Sequence, residues 1–159
     1  MRHFLIFCAS VSLAGTAPLA AQAPASSDAA HHGIHRAADI DWKPGPPSLP
    51  PGAQFALLEG DPSKAGYFAL QLKMPDGYVI PPHWHPVQER VTVLSGTFHL
   101  GEGKTVNRQA TQALPAGSYF SLASEMTHYG VMEGETVVQL TSIGPWQITY
   151  VNPADDPRK

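Results

Sequence analysis

Between residues 53 and 153, apolar and polar positions alternate in short runs, and no window of a dozen residues shows the i, i+3, i+4 spacing of an amphipathic helix. The alternation predicts strands at 54–58, 67–74, 78–80, 90–94, 97–100, 119–122, 128–132, 136–143 and 147–151. Turn chemistry separates them: Pro75-Asp76-Gly77, Ser95-Gly96, Gly101-Glu102-Gly103 and Pro115-Ala116-Gly117 supply fixed or positive φ at little steric cost. Several short strands at regular spacing predict an all-β single domain, an antiparallel sandwich or small barrel.

The pattern differs before residue 53. Arg2 and His3 precede an apolar run at 4–14, followed by small residues ending in Leu19-Ala20-Ala21. A charged start, a short apolar stretch and a small-residue end predict a Sec-type signal peptide over 1–21, cleaved after Ala21. The run is too short to anchor a chain in a bilayer, so the expected destination is the periplasm or the outside, with no membrane anchor left. Residues 22–52 mix Pro, Ala, Ser and Gly and read as a flexible leader to a barrel at 53–153, with a short tail at 154–159. His31, His32 and His35 lie in this leader and are expected to be solvated.

Composition agrees with a turn-rich fold. Charged residues are only 14% of the chain, against about a quarter in average proteins. There are 14 Gly and 16 Pro among 159 residues, and 43% hydrophobic residues suffice for one core. A net charge of −3 excludes the basic surface that nucleic acid requires. The single cysteine, Cys8, rules out internal disulfides and falls within the signal segment.

Candidate chemistry concentrates in Pro82-His83-Trp84-His85-Pro86-Val87-Gln88-Glu89. Residues two apart on a strand share a face, so His83 and His85 project together while Trp84 points away. Glu89 keeps their parity, with Pro86 able to kink the chain between. Two imidazoles and a carboxylate make most of a first-row metal site, and a further ligand must come from another strand. His128, in Met126-Thr127-His128-Tyr129-Gly130, is the candidate.

These residues carry a resemblance. Gly77, five residues, His83-x-His85, three residues, Glu89, six residues, Gly96 is similar to the first motif of the cupin superfamily, without a gap. Gly117 and His128 fall where the second cupin motif has its glycine and histidine. Three positions depart from it: Ala123 stands for a proline, Glu125 for a glycine and Met132 for an asparagine. The likeness covers roughly residues 54–151 and looks most like small secreted single-domain cupins. It implies a jelly-roll barrel of two antiparallel sheets, with one divalent transition metal ion held by His83, His85, Glu89 and His128. It also implies a small-molecule ligand or substrate, and such a barrel is compatible with a homodimer.

The implied activity is that of an oxygenase-like metalloenzyme, or of a decarboxylase or isomerase, on a chelating carbonyl, enol or carboxylate. The alternative is a non-catalytic module for ligand binding or sensing. A nitrogen-rich site filled outside the cytoplasm is expected to be isolated with zinc or copper, while iron, manganese or nickel remain candidates for activity. Glu125 is a candidate general acid or base at the barrel mouth. Gln71 and Gln139 are candidate donors to the ligands. Trp146 and other aromatics are candidate pocket walls, and His99 reads as a peripheral histidine because Phe98 and Leu100 claim the core face.

Overall fold

The computed structural model describes residues 33–159, which form one compact unit. The signal segment at 1–21, with Cys8, and the leader histidines His31 and His32 lie outside the described residues. Among the described residues nine strands follow in order: β1 Lys43–Pro44, β2 Gln54–Glu59, β3 Gly66–Met74, β4 Val79–Trp84, β5 Glu89–Glu102, β6 Gln112–Pro115, β7 Tyr119–Leu122, β8 His128–Gly144 and β9 Thr149–Tyr150. Every pairing among them is antiparallel.

Two long strands, β5 and β8, organise the fold. They pair along nearly their whole length, from Arg90 opposite Thr141 to Glu102 opposite His128. The register shifts around Ser95, and Gly96 (φ 70°) and Gly134 (φ 69°) turn the ribbon there. A Cβ on Gly96 would sit 2.5 Å from Thr136 Oγ1 and 2.6 Å from the Glu135 carbonyl, so only glycine permits the bend. One half of the ribbon continues through β3, β2 and β1 on one side and β7 on the other. The other half continues through β4 and β9 on one side and β6 on the other. The result is the antiparallel jelly roll that the cupin resemblance implies.

The core lies between the sheets. On β3, Phe68, Leu70, Leu72 and Met74 alternate inward. They pack in one cluster with Val91 and Val93 of β5, Val138 and Leu140 of β8, and Ile80 of β4. Gln71 and Gln139 occupy the opposite parity. They face each other on the outer surface, with Gln71 Nε2 3.5 Å from Gln139 Oε1, so neither reaches the candidate ligands.

Several expectations change in detail. The runs at 90–94 and 97–100 belong to one strand, as do 128–132 and 136–143, because Gly96 and Gly134 bend the ladder without ending it. β4 extends beyond 78–80 through Pro81 and Pro82, which fit at a register shift between Ile80 and His83. β6 has no alternating signal: only Leu114 of its four residues is even half-buried, since it lies on an edge. The leader is also corrected for its last residues. Lys43 and Pro44 pair with β2, Gly45 N–H donates to the Ala53 carbonyl at 2.8 Å, and Leu49 packs against the core.

Candidate metal centre

The four predicted ligands converge, and each arrives for a local reason. His83 lies on β4 directly opposite His128, the first residue of β8, and their ring centroids are 4.2 Å apart. His85 follows β4 immediately, with its ring 4.9 Å from that of His83 and 5.4 Å from that of His128. Glu89 opens β5 with the inward parity of Val91 and Val93. It therefore reaches the site from a second strand and not along a continuation of β4. The relative exposures of His83, His85, Glu89 and His128 are 4%, 5%, 7% and 3%, so water does not satisfy them.

The hydrogen bonds assign the inner atoms of the rings. Nδ1 of His83 donates to the Pro81 carbonyl at 2.7 Å, Nδ1 of His85 to the Gln147 carbonyl at 2.8 Å, and Nδ1 of His128 to the Met126 carbonyl at 2.9 Å. A carbonyl only accepts, so the proton of each ring sits on Nδ1 and Nε2 presents a lone pair. One nitrogen from each ring lies within 4.8 Å of the others. Glu89 places its carboxylate oxygens 3.8 Å from His85 Nε2 and 3.2 Å from His128 Nε2. His85 Nε2 is buried without a hydrogen-bond partner among the described residues.

That orphaned atom tests the fit of a cation. Acceptors facing acceptors in a dry site are unfavourable unless a positive charge lies between them. Burial and the neighbouring His128 and His85 rings hold His83 well below the ordinary imidazole range, so it stays neutral and available. Burial likewise lowers His85, against the opposing pull of Glu89. Three imidazoles fixed from behind by backbone carbonyls, together with one carboxylate, suit a divalent transition ion.

A cavity of about 260 Å³ opens over His83, His85 and Glu89. Trp146 forms part of its wall and stacks on the His85 ring at 3.9 Å and 23°. The segment that supplies Trp146 also supplies the Gln147 carbonyl to His85, a backbone contact with no side-chain signature in the sequence. Among the other aromatic candidates, Tyr119 is exposed and Tyr129 is buried with its hydroxyl on the Asn107 carbonyl. Trp84 lines a different hollow, together with Glu125.

Glu125 is therefore corrected as a candidate acid or base. It is exposed and does not line the cavity over the histidines. Its backbone N–H donates to the His85 carbonyl at 2.7 Å, and its φ of 65° is the left-handed conformation for which the cupin motif has a glycine. His99 is peripheral as expected: Nε2 lies 2.8 Å from Glu133 Oε2, and Nδ1 lies 3.4 Å from Thr111 Oγ1.

The bent two-sheet barrel is a cupin jelly roll, and solved structures share this fold. The polyketide cyclase RemF from Streptomyces resistomycificus superposes with a TM-score of 0.63 at 17% identity, over 80% of this chain and 90% of that one. An acetylacetone dioxygenase from Acinetobacter johnsonii gives 0.58 at 17% identity, over 79% and 84%. An RmlC-like cupin from Shewanella frigidimarina gives 0.56 at 16% identity, over 72% and 94%. At such identities the likeness is one of fold. By sequence, the chain belongs to the family described as a domain of unknown function, DUF4437, which matches residues 11–149. No curated protein matches it.

Proposed function

We propose that the protein is an exported, metal-dependent cupin enzyme that binds one divalent transition ion through Nε2 of His83, His85 and His128 and the carboxylate of Glu89. The observation that carries the reading is the buried, unpartnered His85 Nε2 beside the Glu89 carboxylate at the floor of a cavity. The ion, when bound, supplies Lewis acidity and, if redox-active, a centre for dioxygen chemistry. The surrounding residues provide orientation. The Pro81, Gln147 and Met126 carbonyls fix the three rings, Trp146 holds the plane of His85, and the apolar cavity keeps bulk water from a bound molecule.

The expected reaction is oxygenase-like, on a small molecule that chelates through a carbonyl, enol or carboxylate oxygen. The structural likeness to RemF and to an acetylacetone dioxygenase, named for carbonyl-rich chemistry, supports this class. The test is metal analysis of the purified protein, followed by a dioxygen-uptake screen over small carbonyl acids and enols. Turnover that disappears in folded His83→Ala and Glu89→Gln variants supports the reading, and turnover that persists in them refutes it. Tight ligand binding without turnover would instead indicate a binding or sensing module.

Export and metal identity are part of the same proposal. Cleavage after Ala21, read by N-terminal sequencing of the mature protein from cell fractions, tests the first. For a nitrogen-rich site loaded outside the cytoplasm, zinc or copper should dominate on isolation. Elemental analysis showing mainly iron or manganese would overturn that expectation.

A further inference from the structure

The cavity over the histidines has a composition that narrows what it accepts. Apart from His83, His85 and Glu89, the polar side-chain groups on its wall among the described residues are the hydroxyls of Ser48 and Ser63 and the indole N–H of Trp146. Its remaining surface comes from residues such as Phe55, Leu70, Leu72, Leu140 and Ile148. No lysine or arginine lines it among the described residues. Glu89, moreover, already contributes a negative charge at its floor. A ligand bearing a carboxylate away from the ion would have that charge buried without a partner.

Part of this wall comes from the proline-rich segment that precedes β2. Pro46, Ser48 and Leu49 reach the cavity, and Leu49 N–H closes a turn onto the Pro46 carbonyl at 2.9 Å. Two buried tyrosines latch this segment to the barrel. The Tyr150 hydroxyl donates to the Ser48 carbonyl at 2.7 Å, and the Tyr78 hydroxyl donates to the Pro50 carbonyl. The strap is thus a fixed wall, and its side chains set the polarity of the entrance half of the pocket.

We infer that the substrate has one bidentate oxygen end for the ion and an uncharged, apolar remainder, seated against a wall that Leu49 of the strap helps to form. This rests on the metal-centre reading and removes, from the substrate classes considered above, molecules that carry a charge away from the ion. At about 30 Å³ for each water's share of liquid volume, the cavity corresponds to roughly nine waters, or a ligand of about ten non-hydrogen atoms.

Zinc-loaded full-length protein, its zinc content measured first, should be titrated calorimetrically with benzoylacetone and with its analogue carrying a carboxylate at the para position of the ring. Both offer the same two diketone oxygens to the ion, and only the second adds a charge at the far end of the tail. Benzoylacetone should bind about tenfold or more tightly than the carboxylated analogue. Leu49→Ala should weaken benzoylacetone, and Leu49→Lys should shift the preference toward the carboxylated analogue. Zinc retained with equal or stronger binding of the carboxylated analogue would overturn the substrate class and leave the metal centre standing. Failure to retain zinc would overturn the metal reading, and this inference with it.

Discussion

Two clusters in this barrel pair histidine with glutamate, and they behave in opposite ways. In the outer one, His99 uses Nε2 on Glu133 and Nδ1 on Thr111, while Glu133 remains largely in water. Both ring nitrogens are occupied, and the pair is an ordinary surface contact worth little in free energy. In the inner one, Nδ1 of each histidine is occupied by a main-chain carbonyl, the three rings converge, and Nε2 of His85 and His128 face Glu89. A metal site is thus distinguished less by the number of histidines and acids than by which nitrogen the backbone leaves free. Burial completes the distinction, because only the inner cluster lacks water to stand in for a cation.

The largest test of this contrast removes an inner ligand. His85→Ala should lower metal affinity by more than about 100-fold, beyond the 10–100-fold typical of losing an outer-shell partner. Equilibrium dialysis against a competing chelator measures it, and unchanged affinity would erase the difference between the clusters. Acid should separate them next. Burial and neighbouring imidazoles depress His83 in the folded protein, whereas the unfolded chain titrates near the ordinary value of about 6.5. The unfolded state therefore takes up protons first, and metal-free protein should lose stability as pH falls below about 6.5 and through the folded-state value. Urea midpoints at about pH 7.5 and 5.5 should differ in that direction. His99→Gln should leave this acid response intact.

Smaller effects sharpen the comparison. Glu125 braces the His85 carbonyl from a left-handed backbone that costs a non-glycine residue about 1–2 kcal/mol. Glu125→Gly should relieve that strain and, after the added freedom of the unfolded chain, stabilise the protein by about 0.5 kcal/mol with metal content unchanged. A loss of activity at full metal occupancy would return Glu125 to the chemistry. His99→Gln should change stability by less than about 0.5 kcal/mol and metal content not at all, as read by urea midpoint and elemental analysis.

Much of the inner cluster was legible in the chain because strand parity is a local rule. His83 and His85 lie two apart, and Glu89 and His128 fall at spacings that the cupin motifs fix. The motif glycines were legible for the same reason: Gly77, Gly96 and Gly117 all adopt positive φ where side chains would strain the turn. What the chain did not disclose depends on distant packing. The Gln147 carbonyl behind His85 belongs to the backbone and leaves no trace in residue identity. The strap read as a leader because prolines carry no alternation, yet two tyrosine hydroxyls, from Tyr78 and Tyr150, hold it to the barrel. Glu125 looked chemical from its nearness to His128, but its side chain is exposed and lines a different hollow.

The shared ribbon of β5 and β8 has a consequence for timing. β8 supplies the pairing partner for β3, β4 and β5, so neither sheet has its centre until residues 128–144 have emerged from the ribosome. Pairings over such long separations in sequence form slowly, on the order of milliseconds to seconds. During synthesis the earlier strands have only partial partners, and three of the four candidate ligands wait for His128. A nascent chain built this way stays open late, which is the state that export by a Sec-type route would require of it.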